Sequence, residues 1–414
     1  MSEDLLDVRE ALERLLDALA PLGVEPLTLD EAAGRVLAQA ATADVDLPPF
    51  ANSAMDGFAL RSHDVAGAGR QTPIRLRVVG ESAAGHLPGR GLEPGEAIRI
   101  ATGAMIPPGA DAVVPVESTG EPAPMAGRPL PQSVEVHEAV RAGDYVRGAG
   151  TDVEAGQVVL QPGRRLRPAD VAMLAAVGVS RPLVYRRARV AVLSSGDELQ
   201  EPGRPLAPGR VRDSNSFGVA AAVAACGGLP DRLGILPDQE QAVENGLDRA
   251  ADRGADLIVS SAGVSAGALD LLRGAVERRG RLDFWRVNMR PGRPLAVGAY
   301  RGVPFIGLPG NPVSSLVAFE VFGRAALDRL HGLPSTERQI VRAQLEDEAR
   351  SDGRESYLRA ELRQQQGAYH VRLIAGQDSH RLSGMVQANA LVRIPAGVRQ
   401  VPAGDPVETW ILPG

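Results

Sequence analysis

Three segments in the middle of the chain concentrate hydroxyls, glycines and carboxylates directly behind short apolar runs. The first, Ser194, Ser195, Gly196, Asp197, Glu198 and Leu199, follows Leu193. Its paired carboxylates suit Mg²⁺ coordination or the orientation of a water, and they suit the capping of a following segment equally well. The second runs from Ser260 and Ser261 through Ala262, Gly263, Val264, Ser265, Ala266 and Gly267, with Asp270 just beyond. Small residues there let backbone N–H groups close around a phosphate or a ring edge, although a tight strand-to-helix turn calls for the same residues. Asp270 reads either as a ligand carboxylate or as an ordinary acid in a first helical turn. In the third, Leu308, Pro309, Gly310, Asn311 and Pro312 lead into a helix whose N–H groups suit an anion. Upstream, Arg290, Pro291, Gly292, Arg293 and Pro294 form a rigid turn with two guanidiniums that could clamp phosphate or sit solvated. Together these segments predict an anionic-ligand site better than any one of them does.

Two stretches nearer the N-terminus have a related character. Residues 52–59 (Asn52, Ser53, Ala54, Met55, Asp56, Gly57, Phe58, Ala59) read as too polar for a hidden strand, and residues 101–111 look the same. The Asp56 carboxylate and the Thr102 hydroxyl are candidates for a composite site. Spacing leaves open whether they meet the other loops within one chain or across a dimer.

Several chemistries are excluded. All 45 basic residues are Arg, so there is no Walker-type lysine and no Schiff-base or pyridoxal-phosphate chemistry. A single cysteine in 414 residues rules out a disulfide scaffold or an iron–sulfur cluster, and the six histidines, at 63, 86, 137, 331, 370 and 380, lack zinc spacing. A net charge of -6 and only 3% aromatic residues argue against nucleic acid as a partner. No apolar run is long enough to span a membrane, and the N-terminal stretch carries acids among its leucines. With the lone Cys226, this predicts a cytoplasmic protein.

The elements that must position these residues follow from hydrophobic spacing. Leu5, Val8, Leu12, Leu15 and Leu19 recur at helical period, and Thr28 with Glu31 predicts a second, capped helix through Leu37. Short Val and Ile runs broken by Gly and Pro make 42–150 β-rich. From 181 to 330, strands alternate with helices, which predicts an α/β unit with a mostly parallel sheet. Such sheets place ligands beyond the carboxyl ends of their strands, where the three loops fall. After 333 short strands return, as expected for a small β-barrel or sandwich.

On the stretches 52–59, 101–114, 194–199, 213–215, 260–267, 290–294 and 308–314, the chain resembles the MoeA family, the molybdopterin molybdenumtransferases related to the gephyrin E domain. The resemblance implies a multidomain α/β and β protein with four parts. These are a discontinuous elongated domain (1–45 and 145–180), a β-rich second domain (46–144), an α/β molybdopterin-binding domain (181–330) and a C-terminal β-barrel domain (331–414). It further implies a homodimer whose site combines the α/β domain of one subunit with the second domain of the other. The activity implied is insertion of molybdate into adenylylated molybdopterin with Mg²⁺-dependent release of AMP. The catalytic positions carried over are Asp56, Thr102, Glu198, Asp238 and Asp270, with Glu198 and Asp270 toward the metal. Ser195, Gly196, Ser261, Gly263, Ser265, Gly267, Arg290, Arg293, Pro309, Gly310 and Asn311 fall on the ligand-binding loops. The chain departs from the family pattern at Arg290 and Arg293, where lysines are common, at Ala262 for glycine and at Phe58 for tyrosine. Contact with a molybdopterin adenylyltransferase or with apo-molybdoenzymes also follows from the resemblance. The competing readings are a non-catalytic gephyrin-like scaffold or molybdopterin-binding paralogue and, ranked last, an adenylyltransferase.

Overall fold

The computed structural model describes residues 5–123, 127–262, 266–334 and 338–412, with backbone alone at 262, 266–270 and 285. At its centre is a six-stranded sheet in the order Leu229–Leu236, Arg189–Ser195, Leu257–Ala262, Val303–Leu308, Pro294–Tyr300, Gly280–Arg286. The first four strands are mutually parallel and the last two antiparallel. Both faces are covered, so its strands are apolar at successive positions rather than alternating. Val190 and Val192 enter one core with the helix Asn215–Ala225 and the helical run through Phe319, Phe322 and Leu327, while Ala191 and Leu193 enter the other, against the helices Glu240–Asp252 and Ala266–Arg279. From Arg189–Ser195 the chain steps outward to Leu229–Leu236 and then returns to the other side at Leu257–Ala262. The strand order therefore reverses between the ends of Arg189–Ser195 and Leu257–Ala262, which is where open sheets of this kind bind ligands.

The first helix, Val8–Asp17, forms as its spacing predicts, capped by the Asp7 side chain. Val8, Ala11 and Leu15 pack into the α/β core beside Leu327 and Leu330, rather than with the lobe that follows them in sequence. The second helix is only Leu29–Ala32, shorter than the sequence predicts, and the Thr28 hydroxyl bonds Glu31 instead of capping the backbone. Beyond it Val36 and Leu37 are drawn into bridges with Arg165 and Val184. That lobe is closed by the helix Pro168–Ala176 around Leu37, Leu160, Leu166, Leu174 and Val184.

From the lobe a two-stranded ribbon leads outward, with Ala41–Thr42 against Val158–Leu160, Leu47 against Val153 and Asn52–Ser53 against Val146–Arg147. It carries a five-stranded sheet in the order Ala112–Pro115, Gly57–Leu60, Glu96–Ile100, Ile74–Ser82, Ser133–Val136. The strand Gly57–Leu60 is buried at all four positions. This corrects the reading of 52–59 as too polar to be hidden. Gly57 is required there by close approach, since a Cβ would stand 2.0 Å from the carbonyl oxygen of Val114. Phe58 lies in the apolar core with Leu60, Leu76 and Val114, inside this unit.

The C-terminal strands form a ring. Glu355–Gln365 pairs with Ala368–Leu373, which continues through Ile340–Leu345, Pro406–Ile411 and Ala390–Ile394 back to Glu355–Gln365. Closure leaves no long unpaired edge. Tyr357, Leu391 and Trp410 join this barrel to the α/β core. No described helix is long and apolar enough to cross a membrane.

Candidate active site

The carboxyl end of Arg189–Ser195 is built from small residues because three chain segments converge on it. Gly196 turns the chain at φ 153°, and a Cβ there would lie 2.6 Å from the Glu198 carboxylate. The loop continues into a short strand, Leu199–Gln200, so neither Asp197 nor Glu198 caps a helix. Facing it is Asp238, at the end of Leu229–Leu236. The Asp238 N–H donates to Asp197 Oδ1 at 3.2 Å, and the Asp197 N–H reaches Asp238 Oδ2 at 3.5 Å. Burial pushes the Asp238 pKa above the usual carboxylate value, and the charges of Asp197 and Glu198 add to the shift. Its Oδ1 is buried without a hydrogen-bond partner.

Other polar atoms along this edge share that condition. The hydroxyls of Ser195, at the strand end, of Ser260, in the neighbouring strand, and of Ser315, in the helix after the third loop, are buried and unpartnered. Native interiors satisfy most such groups, and exceptions mark places that await a water, an ion or a ligand.

Two residues that spacing did not single out hold this edge together. Asp213, 1% exposed, accepts from Ser194 Oγ (3.1 Å), Ser216 N (3.0 Å) and Ser216 Oγ (2.6 Å). Asn215 donates from Nδ2 to Ser261 Oγ at 2.8 Å and to the Gly310 carbonyl at 2.7 Å, tying the second loop to the third. Their only sequence signal is the polar triplet Asp213, Ser214, Asn215 at the start of an Ala-rich helix.

The predicted residues divide into groups. Ser195, Gly196, Glu198 and Asp238 come together, and Ser261 and Gly310 join them through Asn215. Pro309 is buried, and the Asn311 carbonyl accepts from Ser315 N at 2.9 Å. Gly263 and Ser265 lie outside the described residues, as do the side chains of Ala262 and Asp270; the helix Ala266–Arg279 carries the backbone of Gly267 in its first turn and that of Asp270 in its second. The arginine turn packs on the helix Pro312–Ala318, since a Cβ at Gly292 would lie 3.6 Å from that of Ala318. Arg290 faces Asp352 at 3.7 Å, whereas Arg293, whose carbonyl accepts from Val287 N at 3.1 Å, is exposed and its side chain has no hydrogen bond or ion pair among the described residues.

Asp56 and Thr102 form a separate pair. Asp56 Oδ1 accepts from Thr102 N at 2.7 Å and from Thr102 Oγ1 at 2.8 Å, while nearby Asn52 Oδ1 is buried and unpartnered. Among the described residues no hydrogen bond or ion pair joins this pair to the α/β loops of the same chain.

The described residues contain no ready-made cage of three metal-ligating side chains. A divalent hard cation nevertheless fits the donor set, because Asp238 offers a buried carboxylate oxygen with nothing opposite it and neighbouring carboxylates raise its proton affinity. Mg²⁺ is commonly bound by one or two carboxylates together with substrate phosphates rather than by a closed protein cage.

Comparison with known proteins accounts for nearly the whole chain. Residues 6–178 match the MoeA N-terminal region (domain I and II), 191–329 a probable molybdopterin-binding domain, and 342–412 the MoeA C-terminal region (domain IV). The molybdopterin molybdenumtransferase 2 of Mycobacterium tuberculosis is 39% identical over 98% of both chains. The molybdopterin molybdenumtransferase of a Nostoc species is 36% identical over 94% of this chain and 89% of its own. Among solved structures, a molybdopterin biosynthesis MoeA protein from Pyrococcus horikoshii superposes with a TM-score of 0.84 at 30% identity, covering 99% of this chain and 100% of its own. With the α/β edge, the ribbon-borne sheet and the closed barrel each matched in order, the chain belongs to the MoeA family.

Proposed function

We propose that the chain is a molybdopterin molybdenumtransferase that inserts molybdate into adenylylated molybdopterin and releases AMP. The observation that carries this reading is the row of buried, unpartnered polar atoms of Ser195, Asp238 and Ser260 at the strand reversal. Polar groups buried side by side without protein partners at a strand reversal are what a polar ligand, directly or through water, would satisfy.

On this reading the loops of Ser261 and Gly310, fixed by Asn215, hold the pterin and phosphate portions by backbone N–H groups and hydroxyls. Arg293, uncommitted in the free protein, and Arg290, only loosely held by Asp352, neutralise charge that builds on the leaving phosphate. Glu198 and Asp238 hold Mg²⁺, with Asp270 supplying a further carboxylate. When bound, the cation supplies charge neutralisation on the phosphoanhydride and orients the attacking oxygen. No side chain is needed as a covalent nucleophile. Asp56, fixed by Thr102, is presented by the β-rich unit of a second copy of the chain, because within one chain nothing described links it to the α/β loops.

The test is purified protein with adenylylated molybdopterin, molybdate and Mg²⁺, read by AMP release and by reconstitution of an apo-molybdoenzyme. Expected are AMP release and active cofactor from the parent, both strongly reduced in Glu198→Gln. Tight nucleotide binding without turnover in the parent would leave a carrier or scaffold and overturn the proposal.

A further inference from the structure

Away from the strand reversal, the seam between the discontinuous lobe and the α/β unit holds a half-open cavity of about 450 Å³. Its wall includes Arg35 and Arg165 from the lobe, Tyr185 and Arg187 where the chain passes between the two, and Gly227 and His331 from the α/β unit. None of these belongs to the loops described above. The volume lies within the range of small-molecule sites.

Charge is unevenly distributed around it. Arg187 donates to the carbonyls of Gly227 (2.7 Å) and Gly228 (3.2 Å) and meets no carboxylate among the described residues. Arg165 reaches the Gly34 carbonyl at 3.1 Å and Asp328 at 3.4 Å, and Arg35 bonds Glu25 and the carbonyl of Tyr185. Among the described residues of the wall Glu31 is the one carboxylate, and it accepts from the Thr28 hydroxyl at 3.0 Å. A second cavity of about 280 Å³ shares Gly34, Arg165 and Gly227 and adds Arg324 and the carboxylate of Asp328, so the groove continues past Arg165.

His331 reports on the field in this groove. Its Nε2 accepts the Ala188 N–H at 3.0 Å, which commits that lone pair and leaves the ring proton on Nδ1. Burial, together with Arg165, Arg35 and Arg187, holds its pKa down to about 4 and outweighs the opposing charge of Asp256. The same guanidiniums that repel a proton from the imidazole attract an anion, and Arg is the side chain best matched to a tetrahedral oxyanion.

We propose that this seam cavity is a second ligand site, one that takes the phosphate group of a small phosphorylated molecule. Bound there, the phosphate contacts Arg35 and Arg165 on one side and Arg187 and His331 on the other, and so fastens the lobe to the α/β unit. This does not depend on the transferase reading, since it shares no residue with that site.

Because the active-site loops also suit anions, the experiment must read this cavity alone. The full chain carrying ¹⁵N-labelled histidine is titrated with inorganic phosphate at neutral pH and constant ionic strength. The His331 ring signal is identified by its absence in His331→Gln and by its staying unprotonated down to about pH 5. A saturable shift of that signal is expected, with affinity weakened roughly tenfold in Arg187→Gln, titrated well below that variant's own melting temperature. No saturable shift, or an equal shift in Arg187→Gln, would overturn the proposal. If His331→Gln fails to fold, the resistance of the signal to protonation identifies it and both outcomes still apply.

Discussion

Asp213 and Asp238 flank the same strand end, and their environments are opposite. Asp213 is buried and receives hydrogen bonds from two serine hydroxyls and a backbone N–H. Asp238 has one oxygen with no partner, the other at the limit of hydrogen-bond distance from Asp197, and two further carboxylates close enough to raise its pKa. A satisfied buried charge fixes geometry, whereas an unsatisfied one stores a demand that a ligand can meet. Burial alone therefore does not separate the carboxylate that builds the edge from the one left open to a ligand. The hydrogen-bond count does.

That contrast can be broken from either side. The largest effect is expected from Asp238→Asn, which should lower the rate of AMP release on the order of 10²–10³-fold while leaving the urea unfolding midpoint unchanged or raised. A variant that turned over normally would place Asp238 with the structural group. Next, Asp213→Asn puts an amide donor against donors from Ser216 and should cost about 3 kcal/mol of unfolding free energy. An unchanged midpoint would show that those bonds contribute little.

The smallest effect concerns pH. The Asp238 pKa is raised in the folded protein, so the fold binds its proton more tightly than the unfolded chain does. The resulting stabilisation is present in full below the unfolded carboxylate pKa and is lost as pH rises through the folded value. Asp238→Asn should thus be slightly more stable than the parent at neutral pH, and the difference should shrink as the medium is acidified toward pH 4, read as melting temperature against pH. A gap that widened on acidification would mean that Asp238 is held by a partner after all.

Much of this was legible in the sequence, for physical reasons. Apolar runs followed by Gly, Ser and Asp mark strand ends, and Ser195, Gly196, Glu198 and Gly310 fall where that pattern puts them. The strand Gly57–Leu60 was not legible, because its small residues are demanded by neighbouring strands such as the one holding Val114 and carry no β-branched signature. The overlong helix predicted after Thr28 fails because pairing of Val36 and Leu37 with distant segments overrides local propensity. Asn215 lies in the family-like stretch 213–215, but its role is not legible there because it consists of bonds to residues 46 and 95 positions away. The first helix illustrates the same limit, since spacing gave its apolar face but not the surface that the face would cover.

The ribbon that carries the β-rich sheet has a mechanical consequence. Its two strands run side by side, with Leu47 N donating to the Val153 carbonyl at 2.7 Å and Gly150 N to that of Pro48 at 3.0 Å. Its root is anchored by Ala41 and Leu160 in the lobe core, and further out the small cluster of Ala43, Val153 and Val177, with Leu47, Val159, Met173 and Val179 packed on it, stiffens it. Asp56 stands at the start of a strand paired on both sides, so any twist of the stalk would carry that carboxylate along with the five-stranded sheet.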